Sequence, residues 1–439
     1  MRRSLSFLPL LLLAACDDGG GAIADAGSID SPMNDCGCTG DAPDPQVTVQ
    51  VVDDAGAVLG VPVHFLDNAG AQIAVVQTDA LGQARAAMPT GGSITAVMTG
   101  AGVGDRLATA LAVQPGDTIF VRARGGGTDL TIDLTVPANG TNGHYMIDTP
   151  CGSSDTLTEA GATVTITMQL FGCGPTTDFK ISSDDGDGGP VSTFVALGVP
   201  VSNAAAVTLT GTYAGDATVM HTYANLPTSV GFVTAGRAFA GGKGLVWSTS
   251  TGLDVVAGAA TGSLSAPVLP ASGPGLVATT RVNRGVGFSD SLVLDNPVDG
   301  DYNLDATAVL LPAFTAGAGF DVATRTLAWT EEATGAAPDL TFASLQINRP
   351  SQKASWDWDI VAPHGAAQVV LPVLAGASAD WNPIAGDDVW VNEHLTARVP
   401  GGYPAARRYV HTATGPEHFA GRLDGRMVIE RQLILAGHR

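Results

Sequence analysis

Val47-Thr48-Val49-Gln50-Val51-Val52, then Asp53-Asp54-Ala55-Gly56, then Val61-Pro62-Val63-His64-Phe65, then Asp67-Asn68-Ala69-Gly70: this stretch sets the texture of the chain. Apolar residues alternate with polar ones over five or six positions, and a cluster of Asp, Asn and Gly follows each run. That is the period of a half-buried strand and the composition of a tight turn. Similar runs recur at 73–77, 83–88, 94–98, 107–113 and 118–122, which predicts seven or eight strands in about 80 residues, the content of one β-sandwich. The pattern continues beyond a glycine hinge at Arg124-Gly125-Gly126-Gly127. Strands are predicted within 131–223, and again from 292 to 391. A last segment, 426–435, reads as either a closing strand or a short helix. The predicted class is all-β, with tandem antiparallel sandwiches over 46–124, 128–262 and a β-rich region over 263–439.

Composition agrees with this reading. Of 439 residues, 56 are Gly and 26 are Pro, and charged residues make up 14%, against about 25% in a typical domain. Long helices are poorly served by such a chain. Hydrophobic residues reach 45%, enough to bury a core. Acidic residues outnumber basic ones 42 to 21, a net charge of −21, so nucleic acid is not an expected partner, because binding phosphates needs a positive surface.

The first fifteen residues combine Arg2 and Arg3, an apolar run from Phe7 to Leu13, and the small residues Ala14 and Ala15 before Cys16. The run is far shorter than the roughly 20 apolar residues of a spanning helix and reads as a secretory signal. Leu13-Ala14-Ala15-Cys16 resembles the lipobox of bacterial lipoproteins, which implies cleavage before Cys16 and acylation of its thiol and new amine. Two or more acyl chains anchor a protein stably where one does not. Loss of Arg2 and Arg3 with the signal takes the net charge from −21 to −23. The membrane is therefore an expected partner, and the cell envelope the expected location, the outer membrane or cell surface ahead of the inner membrane.

Residues 16–45 form the expected tether. Seven Asp occur between Asp17 and Pro45, with no Lys, Arg or aromatic residue, a composition that stays solvated and self-repelling. With Cys16 acylated, four cysteines remain in an oxidising compartment. Three pairings exist, and Cys36–Cys38 with Cys151–Cys173 is the simplest.

The segment 46–124 resembles carboxypeptidase regulatory-like and bacterial Ig-like (Big-type) modules of secreted proteins. The resemblance rests on Val51-Val52-Asp53-Asp54-Ala55-Gly56, Gly60-Val61-Pro62-Val63, Thr78-Asp79-Ala80-Leu81-Gly82-Gln83-Ala84 and Pro115-Gly116-Asp117-Thr118. It implies an Ig-like or transthyretin-like sandwich that acts as a spacer or adhesive domain and carries no catalytic set.

Motifs for chemistry are sparse. The G-x-S-x-G elbow fails at Gly287-Phe288-Ser289-Asp290-Ser291 and at Gly376-Ala377-Ser378-Ala379-Asp380, each lacking the final Gly. Asp184-Asp185-Gly186-Asp187-Gly188 resembles a calcium loop but misses the EF-hand register, and reads as an acidic turn. Five of eight histidines fall at His364, His394, His411, His418 and His438, without the i, i+4 or i, i+2 spacing that prepares two zinc ligands. No metal or cofactor is implied. Trp356 and Trp358 alternate with Asp357 and Asp359, so on a strand both rings share one face and both carboxylates the other. Exposed, that set would stack on a sugar; buried, the rings would line a core. The reading favours a non-catalytic surface scaffold, adhesion or binding protein, with surface glycan or protein as partner. The alternatives are a glycan-binding protein or a secreted hydrolase or metal-dependent enzyme with its site in the Trp- and His-rich C-terminal region.

Overall fold

The computed structural model describes residues 46–53, 56–99, 105–123, 129–140, 143–150, 154–157, 163–169, 176–185, 191–241, 244–268, 276–284, 289–365, 367–408 and 425–432. Among the described residues, strand accounts for 63% and helix for 5%, so the fold is all-β. The alternation that opens the sequence is realised in the strand Gln46–Asp53, where Val47, Val49 and Val51 are fully buried while Thr48 and Gln50 are only half so. Turn chemistry is realised too. Asp79 accepts from the amides of Leu81 at 2.8 Å and Gln83 at 2.9 Å, closing an Asx turn. Gly82 sits at φ +73°, and a Cβ there would lie 2.4 Å from the carbonyl oxygen of Val51, so only glycine fits.

Residues 46–122 form eight strands in two layers. Gln46–Asp53 pairs with Gly56–Ala57, Gln83–Ala87 and Thr118–Arg122, while Pro62–Leu66, Gln72–Gln77, Gly92–Met98 and Asp105–Val113 pair among themselves. The second layer does not stop there. Asp105–Val113 lies parallel to Ala354–Pro363, with Leu107 beside Trp358, and this join extends the layer into a 12-stranded sheet. Its order runs Gly244–Asp254, Phe232–Gly241, Leu276–Asn283, Ser289–Asn296, Gly425–Gln432, Asp388–Arg398, Leu340–Arg349, Ala354–Pro363, Asp105–Val113, Gly92–Met98, Pro62–Leu66, Gln72–Gln77. Strands from all three expected segments share this one sheet, so hydrogen bonding runs across positions 124–128 and 262–263. The terminal segment, ambiguous by sequence, is the strand Gly425–Gln432, paired on both sides.

Three cores flank the sheet. On one face, Val277, Leu294, Met427, Leu395, Phe342, Val361, Ala110 and Phe65 pack against Val47, Val49, Ile119 and Val121 of the small layer. On the other face, Val282, Val293 and Val428 pack on Tyr223, Leu264 and Tyr302. Further along that second face, Leu107, Leu345, Trp356 and Trp358 meet Phe314, Leu327, Trp329 and Val369, which belong to or adjoin a three-stranded sheet of Phe314–Asp321, Thr326–Glu331 and Gln368–Val370. A fourth core, with Ile132, Leu134, Tyr145, Phe179 and Ile181, fills a sandwich between the sheet of Asp129–Thr135, Thr163–Gln169 and Ala205–Thr208 and part of a seven-stranded one. The run Asn296-Pro297-Val298-Asp299-Gly300 crosses between sheets. The strand after it, Tyr302–Asp305, pairs in parallel with Ala214–Ala224, and the carbonyls of Val298 and Gly300 accept from buried Arg237.

The parallel join is pinned on both faces. Trp358 Nε1 donates to Thr109 Oγ1 at 2.8 Å in the core, and on the opposite face Arg106 pairs with buried Asp359. Removing one partner of a buried ion pair leaves a desolvated charge and costs about 3–5 kcal/mol, whereas replacing both by apolar groups is often neutral. Asp359→Leu is therefore expected to lower the denaturation midpoint strongly, and the Arg106→Met, Asp359→Leu double variant to recover most of the loss. Urea unfolding followed by tryptophan fluorescence checks both.

Candidate functional site

The strand Ala354–Pro363 decides where the predicted site residues go. Trp356 and Trp358 are 3% and 0% exposed, both in the core beneath the three-stranded sheet. Arg349 lies over the Trp356 ring at 5.0 Å, and Trp381 meets its edge at 5.7 Å. The expected face sharing is correct, but both rings are closed to a sugar, which removes them as a stacking pair. Of the carboxylates on the other face, Asp359 is buried under Arg106 and Asp357 is half-buried. Cys16, Cys36, Cys38, Cys151 and Cys173 lie outside the described residues, as do His411, His418, His438 and the glycines of the acidic turn at 184–188.

The remaining two imidazoles, His364 and His394, pack on the same Trp329 ring at 6.0 and 4.7 Å, but each has its own hydrogen-bond partner, and His364 lies 3.1 Å from Glu331 Oε1. Glu393 and His394 are consecutive on the strand Asp388–Arg398 and so point to opposite faces. Glu393 faces Arg431 at 3.5 Å, while His394 is buried with its Nδ1 3.1 Å from Gln432 Oε1, against the rings of Phe314 and Trp329 at 4.7 Å. Among the described residues no group of three His, Cys, Asp or Glu side chains could hold a metal ion. His64 contacts Ser378 Oγ through Nε2 at 2.8 Å and Gln72 through Nδ1 at 3.1 Å. His64 and Ser378 are buried and Gln72 forms the exposed end of this chain, which clips the short 3₁₀ helix Gly376–Trp381 to the strand Pro62–Leu66.

Two polar zones remain, one on each face of the 12-stranded sheet. The buried zone holds Ser289, Ser291, Glu430, Gln432, His394, Thr396 and Arg284, all under 9% exposed. Arg284 donates to Ser291 Oγ at 2.8 Å and lies 3.1 Å from Glu430 Oε2, and Ser291 donates to the same carboxylate. Glu430 Oε1, Thr396 Oγ1 and His394 Nε2 have no hydrogen-bond partner. Burial pushes the Glu430 carboxyl up to about 7, with Arg284 opposing, and pushes His394 down to about 4. His221, buried beside Arg237, is likewise held down to about 4, by burial first and that guanidinium second.

The open zone begins where the cover of Val47, Val49, Ile119 and Val121 ends. Register places a row of side chains side by side on one face: Phe232 beside Asn283 beside Asp290 beside Arg431, and further along Trp390 beside Gln346 beside Asp357 beside Arg106. The charges in this lane are paired, Arg281 to Asp290 at 2.7 Å, Arg431 to Glu393, and Arg106 to Asp359. Two large rings are left open, Phe232 at 46% and Trp390 at 41% exposure. Phe232, Thr234, Arg281, Asn283 and Asp290 line a depression of about 260 Å³. Phe232 lies across Gly252 of the neighbouring strand, where a Cβ would come 2.1 Å from the ring. Sequence reasoning missed this lane because its members come from separate strands, and only pairing register aligns them. The one local signal was the polar residue every second position in Leu340–Arg349 and Ala354–Pro363.

No family model and no curated protein matches this chain. Among solved structures it is faintly similar to the Bacillus anthracis TIE protein, at 12% identity over 59% of this chain and 49% of that one, TM-score 0.16; the chain thus spans about half of that protein's length. It is similar to the fimbrial anchor protein Mfa2 from Porphyromonas gingivalis at 9% identity over 35% of this chain and 78% of that one, TM-score 0.17. For GBS52, the minor pilin of Streptococcus agalactiae, the values are 11%, 38%, 94% and 0.16.

The buried zone makes stability depend on pH in two opposing senses. Glu430 binds its proton more tightly when folded, so its contribution is complete below pH 4.5 and is lost as pH rises to about 7. His394 and His221 bind theirs more weakly when folded, so their contributions are complete above 6.5 and are lost as pH falls to about 4. Glu430→Gln removes the first and leaves the others. The stability of this variant relative to the parent is expected to rise by roughly 3 kcal/mol between pH 4.5 and 7, measured as the pH dependence of the urea midpoint.

Proposed function

We propose that the chain is a non-catalytic, lipid-anchored protein of the cell envelope that displays a rigid β body for adhesion or binding at the surface. Residues 1–15 are removed and Cys16 is acylated. Residues 16–45 form the acidic tether, and the segments 46–124, 128–262 and 263–439 build the displayed body. Cys36–Cys38 and Cys151–Cys173 close as disulfides after export. The partner is a surface protein or glycan.

The observation that supports this reading is the way the first strand is held. Gln46–Asp53 follows the tether directly and lies between two strands, five residues in register with Gln83–Ala87 and five with Thr118–Arg122. The Thr118–Arg122 ladder is parallel. A pull through the tether acts along this strand and loads both ladders at once in shear, so the bonds cannot open one by one from an end. Thr48 N to Asp117 O, Val51 N to Gly82 O and Ala123 N to Val52 O, each 2.8 Å, share that load. The side chains of Val47, Val49 and Val51 must also leave the core before the strand can slide. This geometry suits a domain hung from a membrane by its N-terminus.

Cys16→Ser is expected to move the protein from the membrane fraction to the soluble fraction of fractionated cells; unchanged membrane association would overturn the anchor. Pulled from its N-terminus by atomic force microscopy, the body is expected to yield at a high force, and Thr48→Pro, which deletes the bond to Asp117, to lower that force. Equal forces for the two chains would remove the tethering argument.

A further inference from the structure

We propose that the open lane of the 12-stranded sheet binds an extended, uncharged glycan, with Phe232 and Trp390 as its two stacking platforms. This rests on the surface-binding reading and names the ligand class and the site.

Ring geometry comes first. An aromatic ring half-exposed on a sheet face offers apolar surface to a partner, and a sugar has both an apolar C–H face to lie on it and hydroxyls for the polar groups around it. The tip of the Phe232 ring occupies the space over Gly252 that a side chain there would fill, and the ring is 46% exposed. Four strand spacings, roughly 19 Å at about 4.8 Å each, separate the strand of Phe232 from that of Trp390 across the sheet. One monosaccharide cannot bridge that interval, and an oligosaccharide chain can.

The polar groups between the rings fit hydroxyls better than charges. Between the rings Arg281 and Arg431 each face a carboxylate, and beyond Trp390 Arg106 is paired with buried Asp359, so among the described residues the lane has no net positive patch to hold a polyanion, and the protein as a whole carries −21. A carboxylate already bound to guanidinium is fixed in orientation and still has lone pairs for a sugar hydroxyl. Thr234 and Asn283 flank Phe232, and Gln346, Asn348 and Asp357 flank Trp390, supplying donors and acceptors of both kinds. The depression of about 260 Å³ beside Phe232 suits a single ring of such a chain, below the size of sites for drug-sized ligands.

The test uses the mature chain carrying Cys16→Ser, probed with neutral glycans (glucan, mannan, galactan and chitin oligosaccharides) and with heparin and hyaluronan as anionic controls, by glycan array and calorimetry. Saturable binding to at least one neutral glycan is expected, insensitive to added salt. Phe232→Ala and Trp390→Ala should each weaken it at least about tenfold, a loss of about 1.4 kcal/mol, while Phe232→Tyr and Trp390→Phe retain it. Gly252→Val, which lifts the Phe232 ring, should weaken it with both rings present. Because both rings are half-exposed, unfolding midpoints of the alanine variants should match the parent. No binding to any neutral glycan, binding indifferent to both alanine variants, or preference for the anionic controls with steep salt dependence would each overturn the proposal. Membrane fractionation of Cys16→Ser reads the surface assignment separately, so a displayed protein that ignores sugars defeats this inference alone.

Discussion

The parallel pairing of Ala354–Pro363 with Asp105–Val113 governs the rest of the architecture. Residues some 250 positions apart must meet edge to edge, which is costly in loop closure and slow to form, and the two strands carry the means to make the match specific. Register is checked from both faces at once. Trp358 must reach Thr109 in the core, and Asp359 must reach Arg106 on the open side. A slip of one residue would turn the Trp rings outward and both carboxylates into the apolar core. A buried ion pair adds little net stability against apolar replacements; its effect here is on which alignment survives. Once the pair forms, the edge of the N-terminal sandwich is no longer an edge, and a hazard for unwanted strand pairing is internalised.

Much of this was legible in the sequence, and the boundary of legibility is physical. Strand runs, turns and face sharing are local properties of alternation, so Val47, Val49 and Val51, the Asp79 turn and the common face of Trp356 and Trp358 could all be read directly. Which strands neighbour one another is not local. The run at 426–435 reads equally as a closing strand or a short helix, yet Gly425–Gln432 lies between Ser289–Asn296 and Asp388–Arg398. Likewise, the exposed ring on the carboxylate face is Trp390, from a strand about 30 residues away, and a bulge between Ser344 and Leu345 sets its position opposite Gln346. Alternation showed that two faces exist. It could not show which one the small layers would cover.

The same sheet is asked to be polar on both faces in its middle strands, and it solves the problem differently on each. Glu430, Ser291, Arg284, His394 and Gln432 are sealed between two apolar cores, where water cannot screen them, and the structure leaves Glu430 Oε1, Thr396 Oγ1 and His394 Nε2 without protein partners. Such orphans hold stability in reserve and tie it to protonation. On the opposite face the neighbouring residues Arg431 and Glu393 are one-third exposed, where solvent meets any remaining valence at little cost. Consecutive residues on one strand thus have opposite energetic roles, and no property of either residue alone distinguishes them.

The acidity of the chain acquires a position from this. Seven Asp lie between Asp17 and Pro45 and others in turns such as those at Asp67, Asp79 and Asp321, where each caps its own backbone. In the lane, by contrast, each Arg is matched to a carboxylate. Field strength at a surface follows unpaired charge and not composition, so a protein that is strongly anionic overall presents a nearly neutral central face. Repulsion between such unpaired acidic groups keeps like-charged surfaces apart. The face that remains approachable is the one whose charges are already spent on each other, and what it offers is aromatic surface, amides and oriented hydrogen-bonding groups.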